Sequence, residues 1–502
     1  MHNVFVRRKY LHTYLYHEPL RSSFLLLSQY IHPLSHILNG PFATRNDCKS
    51  TMTMKPLIMK PKLCIKGRQT WLDGLRGVAA AIVALFHLTA GEMNTPYRSF
   101  WAEPAEQNRR LIQLTPFRIV LAGQAMVSLF FVVSGYSISL AIVRLRETDD
   151  RLLLYRKLTS SVFRRVFRLY LPLLALYVLS HTAFYIGLFN WKFSEGEGCP
   201  AAKPWSSVLP HLDCLAMSFM TNLNLAGAYS TGGLNSHLWT IHSEFQGSLM
   251  IYLTILGLAS AKPHFRLGVV CFLSLVFLCF GQANYICFFA GLSLAEFDAL
   301  RKDASTLPLN ITRETSRSML HWIFRKTTTL SLFAFGIYLL CLPYDEHFPV
   351  DYSFQAWMKL SFWVGAYIRI KCWYAIGAVL VVATLRYHAT LRLPFESRLA
   401  QFLGKISFSL YLIHNSLIRI LRNHILEGVC ESIWKKDFET TRNDEEALPV
   451  IFLSWICAVI VILPLLIILS NYMTKFVDER AIEIAHQLES VVAGQRLRSE
   501  DL

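Results

Sequence analysis

Ionisable residues inside apolar stretches are the first candidates for chemistry, because each costs a few kcal/mol at the centre of a bilayer. Arg76 and His87 belong to one such stretch. They are eleven residues apart, which is about 16 Å along an α-helix and close to three whole turns, so both side chains share one face. His87 can act there as a general base. It can equally be a packed ring that bonds to a backbone carbonyl.

A second group of candidates opens the fourth apolar segment, which reads His-Leu-Trp-Thr-Ile-His-Ser-Glu-Phe over residues 237–245. If this segment enters the membrane from the non-cytosolic side, Glu244 lies at a depth comparable with that of His87. A carboxylate beside a histidine orients the ring and stabilises its protonated form. We therefore expect Glu244 to orient His87. His242 is either a contact for the substrate, a second acid or base, or a residue that only caps the helix entrance.

Arg165 and Arg168 lie one helical turn apart at the start of the third apolar segment. Two guanidinium groups with this spacing can hold one polyanion together. Arginines are also frequent at the cytosolic ends of membrane helices, where they need no ligand. The sequence contains no GxxxxGK[ST] phosphate loop, no GxSxG nucleophile motif and no HExxH zinc motif. We expect no metal at the site.

The elements that position these residues are predicted to be apolar helices. Of the 502 residues, 53% are hydrophobic and only 17% are charged, and the mean hydropathy is +0.35. Since an average soluble domain has about 25% charged residues, this composition excludes a disordered regulator, a secreted disulfide scaffold and an ordinary cytosolic α/β enzyme. We expect an all-α fold, a polytopic transmembrane bundle of about ten helices. The predicted spans are Leu75–Met93, Ile119–Val143, Val166–Phe189, Leu238–Ala259, Leu267–Phe280, Ala283–Phe297, Thr328–Leu342, Cys372–Leu385, Phe402–Leu421 and Pro449–Tyr472.

Charge and composition divide the chain into three parts. Residues 1–70 hold eleven basic and two acidic side chains and are predicted to be a poorly ordered basic tail. Alternatively, translation starts at Met52 or Met54, and the residues before that methionine are not part of the protein. Residues 71–472 form the predicted transmembrane domain, and residues 473–502 form a cytosolic tail with an amphipathic helix.

The loops between the apolar segments predict the topology. Loops with more basic than acidic residues alternate with acidic or mixed ones, which places both termini in the cytosol. The basic loops are 144–165, 260–266, 298–326 and 386–400. The net charge of +16 is thus explained by the tail and these loops, and we expect no nucleic-acid partner. We expect a multi-pass integral protein of the plasma membrane or an endomembrane.

The eleven cysteines show no metal-binding spacing. Cys199 and Cys214 fall in a loop predicted to lie outside the cytosol, where a disulfide is stable. A bridge and two free thiols are both compatible with the sequence, which does not fix pairing.

Five blocks of sequence occur in a characteristic order: Leu72–Gly77 followed by His87, then Phe130–Tyr136, Arg164–Tyr170, Leu238–Phe245 and Leu403–His414. Together they resemble the acyltransferase 3 family of membrane-bound O-acyltransferases, particularly its fungal members. The resemblance spans about residues 70–472. It departs from the family pattern around Glu244, where His242 and Ser243 precede the acid and Gly247 and Ser248 replace the usual aromatic pair.

The resemblance implies transfer of an acyl group, most often acetyl, from acyl-coenzyme A to a hydroxyl of a small-molecule, sugar or lipid acceptor, as in secondary metabolism. It implies no permanently bound cofactor. By matching position, His87 and Glu244 are the catalytic pair, and Arg76, Arg165 and Arg168 bind the acyl-coenzyme A. His242 is then a candidate contact for the acceptor.

A membrane transporter or exporter is the alternative function. In that interpretation Arg76, His87 and Glu244 line a proton or solute path. The sequence shows no inverted repeat and no matched pair of interrupted helices, which favours the enzyme. The sequence does not identify the acceptor.

Overall fold

The computed structural model describes residues 69–89, 97–147, 150–194, 197–225, 227, 233–306, 319–343, 350–438 and 447–493. The chain divides near Gly67, and all of these residues belong to the unit Gly67–Leu502. The tail predicted at residues 1–70 therefore lies almost wholly outside the described residues.

The described residues form an all-α fold without a β-strand. Twelve of the helices have at least ten residues, so the prediction of a transmembrane bundle of about ten helices is not confirmed. The helices are α1 (Thr70–Thr89), α2 (Gly123–Arg146), α3 (Arg151–Tyr185), α4 (Val208–Leu223), α5 (Trp239–Gly257), α6 (Pro263–Cys279), α7 (Ala283–Thr306), α8 (Met319–Leu340), α9 (Phe354–Trp357), α10 (Ala366–Tyr387), α11 (Ala389–Glu396), α12 (Arg398–Trp434), α13 (Leu448–Met473) and α14 (Glu479–Val492).

Each of the ten predicted spans overlaps one of these helices. The two additional long helices are α4, in a region predicted to be a loop, and α14, which continues α13 through the π-helical turn Thr474–Asp478. The charged residues before Val166 do not interrupt the helix, so α3 begins at Arg151, fifteen residues before the predicted span.

Four segments of the described chain are both long enough and apolar enough to cross a membrane: α1, α2, α10 and the continuous segment Pro449–Val492. Large apolar side chains are also exposed on other helices, among them Leu253 of α5 and Phe272 and Leu275 of α6. Exposed apolar side chains of this size are unfavourable in water and favourable in contact with lipid chains. These features indicate a membrane protein.

Glycines bring α1 and α12 into close contact, and this contact positions the candidate site. A Cβ atom on Gly77 would lie 2.2 Å from the backbone nitrogen of Gly404, and one on Gly404 would lie 2.4 Å from the carbonyl oxygen of Asp73. Neither position can therefore carry a side chain without moving a helix. Small residues allow this kind of close packing between membrane helices. As a result α12 runs beside both Arg76 and His87.

Candidate active site

One of three neighbouring cavities contains most of the predicted site residues. It has a volume of about 440 Å³ and is lined by α1, α2, α3, α5 and α12. Arg76, Arg165, Arg168 and Glu244 all line it. The structure thus brings these four residues to one cavity, whereas the sequence led us to expect Glu244 beside His87.

Two of the three arginines in this cavity are already bound by neighbouring side chains. Arg165 donates to the carboxylate of Glu244, which also accepts a hydrogen bond from Ser134. Arg76 donates to the Ser137 hydroxyl at 2.8 Å and pairs with a nearby aspartate. These contacts fix the shape of the cavity wall. They also neutralise part of its positive charge.

Arg168 differs from the other two arginines because it is exposed. No carboxylate of the described residues pairs with it. Arg168 also lines an adjoining cavity of about 340 Å³ between α3 and α14, together with Lys157, Arg164, Arg165 and His486. Of these, Arg164 pairs with Glu489 at 3.3 Å. The adjoining cavity thus retains an excess of positive charge suited to a polyanion such as a phosphate chain.

His87 lines a different cavity, with a volume of about 150 Å³, near the other end of α1. Val127, Thr240 and Tyr411 line both this cavity and the larger one. The hydroxyl oxygens of Thr240 and Tyr411 are hydrogen-bonded to each other at 2.7 Å. These three residues therefore form a shared wall between the cavity of His87 and the cavity of the arginines.

The prediction that Glu244 orients His87 is corrected by the structure, which pairs Glu244 with Arg165 and Ser134. The error was in depth. Thr240, in the first turn of α5, lines the His87 cavity. Glu244 lies about one helical turn further along α5, about 6 Å along the helix axis from Thr240. There its side chain meets α3 instead of the end of α1.

Two other histidines surround His87 in place of a carboxylate. The ring centroids of His87 and His414 are 5.0 Å apart, those of His87 and His237 are 6.4 Å apart, and those of His237 and His414 are 4.7 Å apart. His414 is fully buried, whereas His87 is partly exposed to its cavity.

The backbone determines which nitrogen of each neighbouring ring carries the proton. Nδ1 of His414 lies 2.7 Å from the carbonyl oxygen of Tyr411, and since a carbonyl only accepts, Nδ1–H donates. Nε2 of His414 then has a lone pair, and it is buried without a partner among the described residues. His237 has no such free atom, because Nε2 bonds to the Leu412 carbonyl and Nδ1 accepts from Asn415, both at 3.1 Å.

His242 does not line either cavity. Its ring is buried, and Nδ1 lies 3.2 Å from the carbonyl oxygen of Asn222 at the end of α4. The side chain of His242 thus bonds toward α4 and not into these cavities, and its contact with the acceptor stays a prediction.

Sequence reasoning left His237 and His414 without a role and did not consider Lys371, which also lines the His87 cavity. A signal for His414 was present. Along α12 the polar residues Tyr411, Asn415 and Arg419 recur at helical spacing within an apolar segment. Such a polar stripe indicates a face that is turned to the protein interior.

Cys199 and Cys214 form a disulfide, which decides between the two states that the sequence allowed. Buried His181 lies close to both sulfur atoms. Both sulfurs are used in the bridge and are not available as thiolate ligands for a metal.

A model of the acyltransferase domain matches residues 69–471 of the chain. The chain is 24% identical over 378 residues to the O-acetyltransferase PaAT-1 of Phomopsis amygdali, and the alignment covers 70% of this chain and 72% of that protein. It is 27% identical over 407 residues to the acyltransferase clz18 of Cochliobolus lunatus, which covers 72% of this chain and 85% of that protein. No solved structure matches the chain.

Proposed function

The chain belongs to the acyltransferase 3 family, and from this premise we propose that it is a membrane-bound O-acyltransferase that uses acyl-coenzyme A as its donor. The acyl group, acetyl in this proposal, passes to a hydroxyl group of a small-molecule, sugar or lipid acceptor. The name of the relative from Phomopsis amygdali supports acetyl as the transferred group.

One observation carries the proposal: the cavity lined by Arg76, Arg165 and Arg168 shares a wall with the cavity of His87, and Arg168 also lines the adjoining cavity with excess positive charge. The donor is a polyanion at one end and a thioester at the other, so it needs basic groups at a distance from the reacting centre. Arg76 and His87, about 16 Å apart along α1, mark the two ends of that arrangement.

The arginines have different roles in this proposal. Exposed Arg168, with Lys157, contacts the phosphates of the donor directly. Arg165 is held by Glu244 and positions the cavity wall. Arg76 lies beside the path of the extended pantetheine arm. Glu244 thus acts on the donor side through Arg165, and not on His87.

The shared wall lies between the thioester and the base. Thr240 and Tyr411 are joined there by their hydroxyl groups. For the thioester to meet His87, this pair must separate or turn aside when the donor binds, as gating groups do in other enzymes. A closed wall in the absence of donor keeps water away from the reaction path and favours transfer over hydrolysis.

His87 is the general base in this proposal, and His414 positions it. Nε2 of His414 has no partner in this structure and its ring lies 5.0 Å from that of His87, so a small rotation lets it accept the N–H of one His87 nitrogen. The other nitrogen of His87 is then free to take the proton of the acceptor hydroxyl. The hydroxyl oxygen forms a bond to the thioester carbon as the carbon–sulfur bond breaks. The proton then passes from His87 to the coenzyme A sulfur, which gives an ester and free coenzyme A.

We further propose that the protein spans the membrane several times, with both termini and the basic cavity at the cytosolic face. The cytosol supplies acyl-coenzyme A to that face. The excess of basic residues in the predicted cytosolic loops supports this orientation. The His87 cavity then lies toward the opposite face, where the acceptor enters.

Purified full-length protein with radiolabelled acetyl-coenzyme A and a cell extract that contains the acceptor tests the function. We expect free coenzyme A and labelled ester to accumulate in equal amounts, and only when the extract is present. Passage of label across a vesicle membrane with no release of coenzyme A would instead identify a transporter and contradict the proposal.

A further inference from the structure

Lys371 of α10 lines the same cavity as His87. Its ammonium nitrogen lies 4.5 Å from the ring centroid of Trp239 and 4.0 Å from that of Tyr367. Both rings also line the cavity. The two aromatic faces attract the cation and hold it at the cavity wall.

No carboxylate of the described residues pairs with Lys371, and none of their carbonyl groups accepts a hydrogen bond from it. The buried arginines of this protein are bound differently. Arg146 pairs with Glu296 at 2.6 Å, and Arg386 pairs with Asp298 at 3.0 Å. A third, Arg118, donates to three backbone carbonyls. Lys371 therefore differs from them in having only ring faces as partners.

The chemistry of the cavity indicates what a ligand must provide. Ring faces attract a cation but do not accept three strong N–H hydrogen bonds, so the ammonium group is only partly compensated. Apart from His87, His237 and the Trp239 indole, the other polar side chains in the lining are amides and hydroxyls. Oε1 of one of them, Gln124, is buried without a partner among the described residues. The remaining wall is apolar and aromatic, with Val83 and Phe86 among its residues.

We infer that the acceptor carries an anionic oxygen group, a carboxylate in the first instance, that pairs with Lys371 while its hydroxyl group faces His87. This inference rests on the proposed function and narrows its acceptor to hydroxylated acids with an apolar body. A charged group in an apolar segment of a membrane protein commonly marks a substrate site. The ion pair forms only when the acceptor enters, and so it selects acids over neutral alcohols of similar shape.

The experiment begins with the acceptor itself. Metabolites extracted from cells with and without the gene are compared, and the compound that loses an ester is identified. Its acceptor form and the methyl ester of that form are then assayed with purified wild-type protein, Lys371→Met, Lys371→Arg and the exposed control Lys359→Met.

We expect an acceptor with an anionic group. Lys371→Met should raise its KM about tenfold to a hundredfold with little change in kcat, since one charged hydrogen-bonded contact is lost. Lys371→Arg should keep most of the affinity, and Lys359→Met should match the wild type. With the methyl ester as substrate, wild type and Lys371→Met should have the same KM.

Three results would overturn the inference: a neutral acceptor, an unchanged KM in Lys371→Met, or an equal effect of that substitution on the acid and its methyl ester. An unchanged KM would leave Lys371 as an interfacial lysine packed on aromatic rings. All three results leave the proposed function standing, because acyl transfer is still observed. If no compound loses an ester and no coenzyme A is released, the proposed function itself fails.

Discussion

Replacing His414 with leucine separates a positioning role from a structural one. The substitution removes the hydrogen bond from Nδ1 to the Tyr411 carbonyl, worth about 1 kcal/mol. It also removes the buried, unpartnered Nε2, whose desolvation costs about 1–3 kcal/mol. Since the two effects have opposite sign and leucine suits a fully buried position, we expect thermal stability to stay the same or rise slightly.

The rate of acyl transfer should fall, although stability does not. In the transition state His87 becomes positively charged and is proposed to form a charge-assisted hydrogen bond to the previously unpartnered Nε2 of His414, worth about 1.5–3 kcal/mol. Loss of that bond should lower kcat by about tenfold to a hundredfold. The KM for acyl-coenzyme A should not change, because the donor phosphates bind in the other cavity.

The assay measures coenzyme A release at saturating donor and acceptor, together with the melting temperature. His414→Gln provides a partial rescue, since its amide oxygen can accept the N–H of His87. His264→Leu, at an exposed position on α6, is the matched control. Full kcat in His414→Leu would refute the reasoning, and so would an activity loss that follows the loss of melting temperature in both His414 variants.

Other predictions concern the donor site, the helix packing and the disulfide. Arg168→Ala should raise the KM for acyl-coenzyme A about tenfold in initial-rate measurements, because it removes a charged contact to phosphate. Arg156→Ala, at an exposed position on the same helix, should leave that KM unchanged. Equal KM values for the two variants would contradict the donor site. Gly404→Ala should lower the melting temperature, since its Cβ would clash with backbone 2.4 Å away. Gly428→Ala on the same helix meets open space and should be neutral or stabilising. A Gly404→Ala protein as stable as the wild type would show that α1 and α12 do not pack as described. Cys199→Ser should destabilise the folded state by about 3 kcal/mol, because the disulfide closes a loop with a sequence separation of 15. A denaturation midpoint that neither the substitution nor reductant changes would show that the bridge does not form.

The helices could be predicted from the sequence because long apolar segments have few alternatives in a membrane. Their number and limits were less accurate. The sequence predicts a loop where the structure has the helix Val208–Leu223, because this apolar segment is short and contains His211 and Asp213. The start of α3 at Arg151 was missed because charged residues end an apolar segment but not a helix.

The candidate site was predicted in part. Arg76, Arg165 and Arg168 line one cavity, and Glu244 also lines it although the sequence predicted it beside His87. The partner of His87 was not predictable in the same way. Depth along a helix can be counted from its start, but the starting point of α5 and the direction of each side chain depend on which helices pack together. The close approach of α1 and α12 at Gly404 decides that packing and brings His414 to His87.

The central claim is that His87 removes the proton from the acceptor hydroxyl. The most direct measurement compares wild type with His87→Ala in a single-turnover assay, with radiolabelled acetyl-coenzyme A, acceptor and protein matched in amount and melting temperature. His87→Ala should form labelled ester at least a hundredfold more slowly, on the order expected for loss of a general base, while donor binding stays unchanged. Ester formation by His87→Ala at the wild-type rate would contradict the central claim.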